Sequence, residues 1–272
     1  MSMGMTDADV GEIARLISHE RLAAFVAIAG TERDALGLHH EMMLLQGALA
    51  PVMGIIEIAL RNAICERLRQ MFGTADWLLN PPAPFTWRGE EQDALDRAVR
   101  HARRAAYTKM NSSEKKALDA TAFPAGVPAG ISHETRVKRR QNAITVTFGQ
   151  IIAQLTMHFW KRLFSPDYEA RLWDRSLKRL FPDKSLKRAD IAAQLEIIYQ
   201  ARNRLAHHEP IHGVRLTKLL TAIEFVVSRF GAADAAGETI LGKMLAPHRP
   251  SLDQQAAAFQ AAIDTFVVKP SP

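Results

Sequence analysis

The sequence predicts an all-α protein, and two observations carry this prediction. Apolar residues recur along most of the chain at spacings of three and four, which is the period of an amphipathic helix. Strand signals are weak, and a short β-like run over residues 143–148 leads directly into a helical pattern. With 272 residues, of which 47% are hydrophobic and 24% charged, the chain is long enough to bury a core and is typical of globular proteins.

Nine helices are predicted in order along the chain, separated by turns. Two proline-rich breaks, at residues 80–84 and 123–131, predict loops. The predicted helices cover residues 7–29, 32–48, 52–72, 89–110, 142–164, 166–180, 187–207, 216–230 and 253–267.

The helix predicted over residues 52–72 is apolar on nearly all sides, so we expect it to be buried. Glu57 and Arg61 lie on it at i and i+4, a spacing that allows a salt bridge within the helix. The alternative is that Glu57 reaches across the bundle and orients Arg202. Both residues of the pair are therefore candidates for a supporting role.

The stretch from about residue 109 to 141 is a basic, loop-containing segment between two apolar helical halves. A cluster of cations after its proline-rich loop is typical of contacts with RNA phosphates, although a solvated helix face has the same composition. The sequence shows no internal repeat, and residues 1–272 are predicted to form a single domain. The candidate RNA-binding residues are Arg136, Lys138, Arg139 and Arg140.

Charge and cysteine content limit the classes of partner and compartment. The net charge of +6 favours polyanionic partners, with nucleic acid first and an anionic membrane surface second. A single cysteine, Cys65, excludes an internal disulfide and a multi-cysteine zinc site, which fits a reducing compartment. The N-terminus lacks a basic leader, and no stretch of about 18 apolar residues is free of charge. We therefore expect a cytoplasmic protein without a membrane partner.

The helix predicted over residues 187–207 carries the most informative cluster of side chains. Arg202 falls within its apolar stripe, where a guanidinium is costly unless it is paired or borders a polar cleft. Asn203 and His207 share a neighbouring face at i and i+4. Pro210 predicts that the helix ends close by, which puts His207 in the last turn. We expect a cation, an amide and an imidazole to meet at the border of a buried surface.

These three residue types suit cleavage of RNA without a metal ion. Arg202 would hold phosphate oxygens, His207 would transfer a proton, and Asn203 would orient either side chain. The nucleophile is the 2′-OH of the substrate itself, so neither a cofactor nor a cluster of carboxylates is required. Structural alternatives stay open: His207 as a helix C-cap residue, and Arg202 in an ion pair with a buried acid such as Glu57.

A second motif overlaps the first. His208, Glu209 and His212 fit the His-Glu-x-x-His pattern of zinc peptidases. That site needs both histidines on one face of a continuous helix, and Pro210 and Gly213 argue against such a helix. A zinc hydrolase using His208 and His212 is therefore the weaker alternative.

Several stretches, in order along the chain, resemble one family. Residues 202–207 fit the Arg-Asn-x-x-x-His signature of the HEPN superfamily of ribonucleases, and ARNRLAHHEPI resembles the motif of its Abi-like (abortive infection) proteins, in which a second His and a Glu follow. Residues 57–63 resemble the N-terminal helix of that family. Residues 155–182 resemble its middle segment, although His158-Phe159-Trp160 departs from the usual Phe-Gly-Phe-Trp.

The resemblance implies an all-α, HEPN-type helical bundle with additional N-terminal and C-terminal helices. It implies a metal-independent endoribonuclease acting in anti-phage defence or as a toxin, controlled by an antitoxin or a phage-derived trigger. Arg202 and His207 would be the catalytic pair and Asn203 their helper, with His208 and Glu209 in support. Because HEPN sites form where two motifs meet and this chain has one, a homodimer with the motif near its interface is implied. A non-catalytic HEPN module that only binds RNA is the second alternative.

Overall fold

Helices are the repeating element of this computed structural model, which describes residues 4–267. No strand occurs in that range, where an isolated β-bridge joins Ala233 to Thr239. The predicted all-α class is therefore confirmed. In chain order the helices are α1 (Asp7–Ile17), α2 (His19–Ala29), α3 (Glu32–Phe72), α4 (Gly89–Lys109), α5 (Ser112–Ala117), α6 (Asp119–Ala122), α7 (His133–Asn142), α8 (Phe148–Ile152), α9 (Met157–Arg162), α10 (Arg188–Ala206), α11 (Val214–Arg229), α12 (Ile240–Leu245) and α13 (Arg249–Val267).

The chain divides into two compact units. Unit 1 contains the residues up to Ile64 and those from Phe164 onward, and unit 2 spans Cys65–Leu163. Helix α3 runs from the first unit into the second. The single domain predicted over residues 1–272 stays a prediction, because compactness does not decide whether each unit folds alone.

The first predicted helix is two helices in the structure. Ser18 separates α1 from α2 with a positive φ of 85°, and its hydroxyl caps α2 by accepting a hydrogen bond from the Arg21 backbone N–H at 3.3 Å. An N-cap residue leaves helical geometry by definition, so the cap divides an otherwise continuous amphipathic pattern.

Helix α3 joins two segments that the sequence predicts as separate helices. Its 41 residues continue through Pro51, which cannot donate the backbone hydrogen bond that the helix interior needs. Leu49, Val52 and Ile56 are all buried around this point. Their burial offsets the missing bond, since a Leu, Val or Ile side chain contributes about 1.5–3 kcal/mol when it leaves water.

By length and composition, α3 is also a helix that is able to cross a membrane. Only 44% of its most apolar stretch is buried within the protein. The core helix of a soluble protein passes the same test, because both environments select long apolar sequences. The expectation that the protein has no membrane partner therefore stays a prediction.

Unit 2 breaks the long helix predicted over residues 142–164 into shorter pieces. Thr147 caps α8 by accepting a hydrogen bond from the Gln150 N–H at 3.2 Å, and Thr156 occupies the N-cap of α9. Each cap starts a new helix and so ends the preceding pattern. The predicted loop at residues 123–131 is present, with α5 and α6 before it and α7 after it.

Unit 1 holds α10 in a buried position against α11. Ile191, Leu195 and Ile198 of α10 are all fully buried, as the apolar stripe predicts. Arg188 fixes the start of the helix: its Nη1 donates to the Phe164 carbonyl at 2.7 Å, and its Nε pairs with the Glu169 carboxylate at 3.0 Å. The helix predicted over residues 166–180 is not one α-helix. Three short turns of 3₁₀ or π geometry take its place, at Pro166–Tyr168, Glu169–Trp173 and Leu177–Leu180.

Candidate active site

The C-terminus of α10 is a Schellman motif with a histidine in the glycine position. His207 is the C-cap residue, and the next residue, His208, has a left-handed φ of 53°. The His208 N–H donates to the Leu205 carbonyl at 3.1 Å, and the Glu209 N–H donates to the Arg204 carbonyl at 2.8 Å. This pair of bonds defines the motif, whose left-handed position strongly prefers glycine. The backbone of His207 therefore does occupy the C-cap of α10, which was one of the alternatives for this residue.

Arg204, which the sequence analysis did not single out, holds the turn that follows α10. Its Nε and Nη2 donate to the Pro210 carbonyl at 3.2 and 3.1 Å. Its Nη1 pairs with the Glu209 carboxylate at 3.0 Å. One guanidinium thus fixes both the backbone and a side chain of the turn. The supporting role predicted for Glu209 is therefore to hold Arg204 in place. Arg204 occupies an unspecified position of the Arg-Asn-x-x-x-His motif, so the motif itself gave no signal for this role.

Two further side chains from α2 and α3 bind carbonyls of the same turn. Arg21 Nη1 donates to the His207 carbonyl at 3.1 Å, and Gln46 Nε2 donates to the Glu209 carbonyl at 3.0 Å. Gln46 is buried, and its Oε1 has no hydrogen-bond partner among the described residues. A buried amide on an apolar helix is a sequence signal for such a contact, since burial without a partner is costly.

Arg202 lies on the α3 side of α10 and contacts Glu57. Its Nε is 3.4 Å from Glu57 Oε2, with the two side chains 39% and 20% exposed. Arg61 instead donates through Nε to Asn62 Oδ1 at 3.3 Å. The structure therefore brings Glu57 to Arg202 across the bundle, and the salt bridge expected within α3 is absent among the described residues. Among the described residues, Arg61 makes no hydrogen bond or ion pair with Arg202 or His207, the predicted catalytic pair.

His207 projects between two clefts of unit 1. The first, of about 840 Å³, lies along α10 and the first turns of α11. Asn203, Arg204 and His207 line it together with two cations of α11, Arg215 and Lys218. Arg202 is not among its lining residues. The structure thus brings Asn203 and His207 together, as predicted, but places Arg202 on another side of the helix.

The second cleft, of about 530 Å³, lies on the other side of the turn after α10. Residues of α2 and of the turn form its walls. The lining residues it shares with the first cleft are Arg204, His207, Glu209 and Arg215, and those of its own are Glu20, Arg21, Ala24, His208, Pro210 and His212.

Cations dominate the electrostatics around this turn. Partial burial lowers the pKa of His212, and the neighbouring charges of Arg215 and Arg204 lower it further. Burial also lowers the pKa of His39, and the charge of the neighbouring Arg21 lowers it further. A site in which positive charge disfavours protonation is one that favours a bound anion.

The geometry needed by the zinc motif is absent. Residues 208–212 form a turn and an irregular segment, not a helix, and His208 has a positive φ. The two histidines therefore do not repeat on one helical face. Among residues 4–267, no group of three His, Cys, Asp or Glu side chains is arranged to hold a metal ion. The zinc-hydrolase alternative loses the structural feature on which it depended.

The basic cluster of unit 2 is partly neutralised by an acid that the sequence analysis overlooked. Arg140 donates to both carboxylate oxygens of Asp119 at 2.6–2.7 Å, and Arg136 binds the same carboxylate. These bonds hold the pKa of Asp119 well below its usual range. Lys138 and Arg139 are exposed, with the Arg139 guanidinium 5.9 Å from the Phe123 ring centre. Two of the four predicted RNA-binding residues thus have a structural partner.

Comparisons with known proteins add nothing to this site. Neither family models, nor curated proteins, nor solved structures match the chain. What the site is able to do is therefore inferred from its own residues.

Proposed function

We propose that this protein is a metal-independent endoribonuclease of the Abi-like HEPN type. The observation that carries the proposal is the position of His207. Its imidazole is exposed, makes no hydrogen bond or ion pair with any described residue, and lies between two clefts whose walls hold Arg204, Arg215 and Lys218. A free proton-transfer group among cations matches the needs of phosphodiester cleavage.

The reaction would proceed by internal transesterification. The 2′-oxygen of the substrate attacks the adjacent phosphorus and loses its proton to solvent water as the P–O2′ bond forms. The P–O5′ bond breaks, and His207 as general acid protonates the leaving 5′-oxygen. Arg204, Arg215 and Lys218 stabilise the charge that develops on the phosphorane oxygens, while Asn203 orients the phosphate or the imidazole. The products are a 2′,3′-cyclic phosphate and a free 5′-hydroxyl.

Arg202 would act at a site completed by a second copy of the chain. Within one copy it lines neither cleft and is held by Glu57, yet its side chain stays 39% exposed. An arginine that is oriented and still accessible is suited to contact a phosphate bound at a neighbouring protomer. A homodimer with this motif near its interface is therefore part of the proposal.

The contact between Arg202 and Glu57 also favours a second candidate, a non-catalytic HEPN module that binds RNA. If Arg202 serves only as the partner of Glu57, the clefts would hold phosphate without the full catalytic set. In either case we propose a cytoplasmic protein acting in anti-phage defence or as a toxin, controlled by an antitoxin or a phage-derived trigger.

The decisive experiment is cleavage of an end-labelled structured RNA in EDTA by the full-length protein. We expect 2′,3′-cyclic phosphate ends, and a loss of about 10²–10⁴-fold in rate for His207→Ala, the usual contribution of general acid catalysis. His101→Ala is the matched control, because His101 is an exposed imidazole on α4 in unit 2. Cleavage abolished by EDTA would refute metal independence. RNA bound but left intact would favour the binding module.

Sedimentation velocity measures the oligomeric state of the same samples. A dimer supports a site shared between two copies. A monomer that still cleaves RNA would remove Arg202 from the proposed mechanism, since no second copy would then bring it to a phosphate.

A further inference from the structure

The second cleft is lined by Arg21, a cation that the proposed reaction at His207 does not use. Arg215 borders both clefts and makes no ion pair with any described residue. Of its two acids, Glu209 pairs with Arg204, and Glu20 stays ionised because hydrogen bonds from its own backbone N–H and from the Ser18 hydroxyl lower its pKa. The three guanidinium groups of Arg21, Arg204 and Arg215 thus face two carboxylates, which leaves a net charge of +1 for an anion that enters the cleft.

His208 contributes to this cleft at a cost to the backbone. Its left-handed conformation is disfavoured for a side chain with a Cβ and would be unstrained for glycine. Backbone strain of this kind clusters at functional sites. His208 lines the second cleft and not the first, so a role for its side chain would lie in the second cleft. His212, half-buried against the Phe25 ring at 6.1 Å, supplies another imidazole to the same wall.

The two clefts are adjacent, since they share four lining residues. His207 is one of them, so an extended ligand that passes His207 enters both clefts. A phosphate at His207 in the first cleft has a neighbouring phosphate along the same RNA strand. The second cleft offers that neighbour Arg21 and the imidazoles of His208 and His212.

We propose that the second cleft binds the phosphodiester next to the scissile one, so that the protein selects RNA strands with at least two consecutive phosphodiesters. This inference rests on the proposed function, because it takes the phosphate at His207 to be the scissile group. It adds a binding site, its ligand chemistry and a minimum substrate length.

The test compares two non-cleavable ligands on the full-length protein: an all-2′-deoxy dinucleoside monophosphate with one phosphate, and the corresponding trinucleoside diphosphate with two. Affinities are measured by competition against a fluorescent oligonucleotide at fixed salt. We expect the two-phosphate ligand to bind about tenfold more tightly to the wild type, which is equivalent to about 1.4 kcal/mol. Inorganic phosphate, measured in parallel, shows whether single phosphates account for the binding.

Three variants assign the preference to a cleft. His208→Gly and Arg21→Gln each remove a cation or an imidazole found only in the second cleft, and we expect either to weaken the two-phosphate ligand selectively. Lys218→Gln alters the first cleft only and should weaken both ligands equally. His208→Gly relieves a strained backbone position, so weaker binding by this variant would not be explained by misfolding.

Equal affinity of the wild type for both ligands would overturn the inference, as would an intact preference in both His208→Gly and Arg21→Gln. Neither outcome depends on turnover. A protein that shows the preference but never cleaves RNA would refute the ribonuclease proposal alone. A protein that cleaves RNA through His207 without the preference would refute the second phosphate site alone.

Discussion

The guanidinium of Arg202 and the carboxylate of Glu57 lie 3.4 Å apart, joining α10 to α3. Six residues along the chain from Arg202, the exposed imidazole of His208 makes no ion pair with any residue between 4 and 267. The cation of the motif is thus tied to the bundle, whereas the histidines at the end of α10 face the clefts. The two kinds of residue should therefore differ in their effects: Arg202 on stability, and the histidines on the proposed RNA cleavage.

Glu57→Gln should reduce cleavage far more than it reduces stability. Because Arg202 is 39% exposed, solvent screens the pair, and a double-mutant cycle with Arg202→Met should give a coupling below about 1 kcal/mol in urea denaturation. The rate of RNA cleavage should fall at least about tenfold, because Arg202 loses its orientation. Arg61→Gln is the control on the same helix and should change neither quantity. An unchanged rate in Glu57→Gln would make the pair purely structural.

His208→Gly should stabilise the protein. The substitution removes a Cβ from a left-handed position, which is worth about 1 kcal/mol, and it preserves both backbone bonds of the Schellman motif. The midpoint of urea denaturation should therefore rise. His101→Gly, in the interior of α4, should have the opposite effect, with a loss of about 0.5–1 kcal/mol. A lower midpoint for His208→Gly would show that the imidazole itself stabilises the turn.

RNA binding by unit 2 should depend more on α4 than on the cluster predicted from sequence. This unit holds 16 Lys and Arg residues against 9 Asp and Glu, while the rest of the chain holds 19 against 20. Arg97, Arg100 and Arg104 lie on one face of α4, are exposed, and make no ion pair among the described residues. Substituting all three by Gln should reduce the slope of log affinity against log salt by about 2.

The comparison for that prediction is the double substitution of Arg136 and Arg140 by Gln. Both side chains already bind Asp119, so we expect a smaller change in salt dependence. Fluorescence anisotropy with a single-stranded RNA at several salt concentrations measures both variants, and circular dichroism checks their folding. If the double variant lost as much of the salt-dependence slope as the triple α4 variant, the cluster predicted from the sequence would be an RNA contact after all.

Asp119→Asn should destabilise the protein in a pH-dependent manner. Hydrogen bonds from Arg140, and to a smaller extent from Arg136, lower the pKa of Asp119 in the folded state. As the pH falls, Asp119 therefore takes up a proton in the unfolded chain before it does so in the folded protein, and the folded state loses stability. The stability advantage of the wild type should be constant above about pH 5 and should shrink below about pH 4, near the pKa of an unfolded Asp. Urea denaturation from pH 3 to pH 8 measures it. A difference independent of pH would contradict the ion-pair explanation.

The buried face of α10 illustrates how much of the fold could be predicted from the sequence. Helical spacing correctly identified Ile191, Leu195 and Ile198 as core, because burial follows from period and hydrophobicity alone. Helix boundaries were predicted less well. Pro51 is a local signal for a helix break, but α3 continues through it because the surrounding apolar residues are packed in the core. Ser18 ends α1 and caps α2, a break that the apolar spacing on either side did not indicate.

The sequence by itself determined the helical class, the basic balance, and the adjacency of Asn203 and His207, since these follow from composition and short spacing. Only the tertiary structure decided that Arg202 pairs with Glu57 on α3 and that Arg21 and Gln46 hold the turn after α10. Such contacts join residues more than 140 positions apart. Local periodicity contains no information about them, because they arise when separate helices bury their apolar faces together.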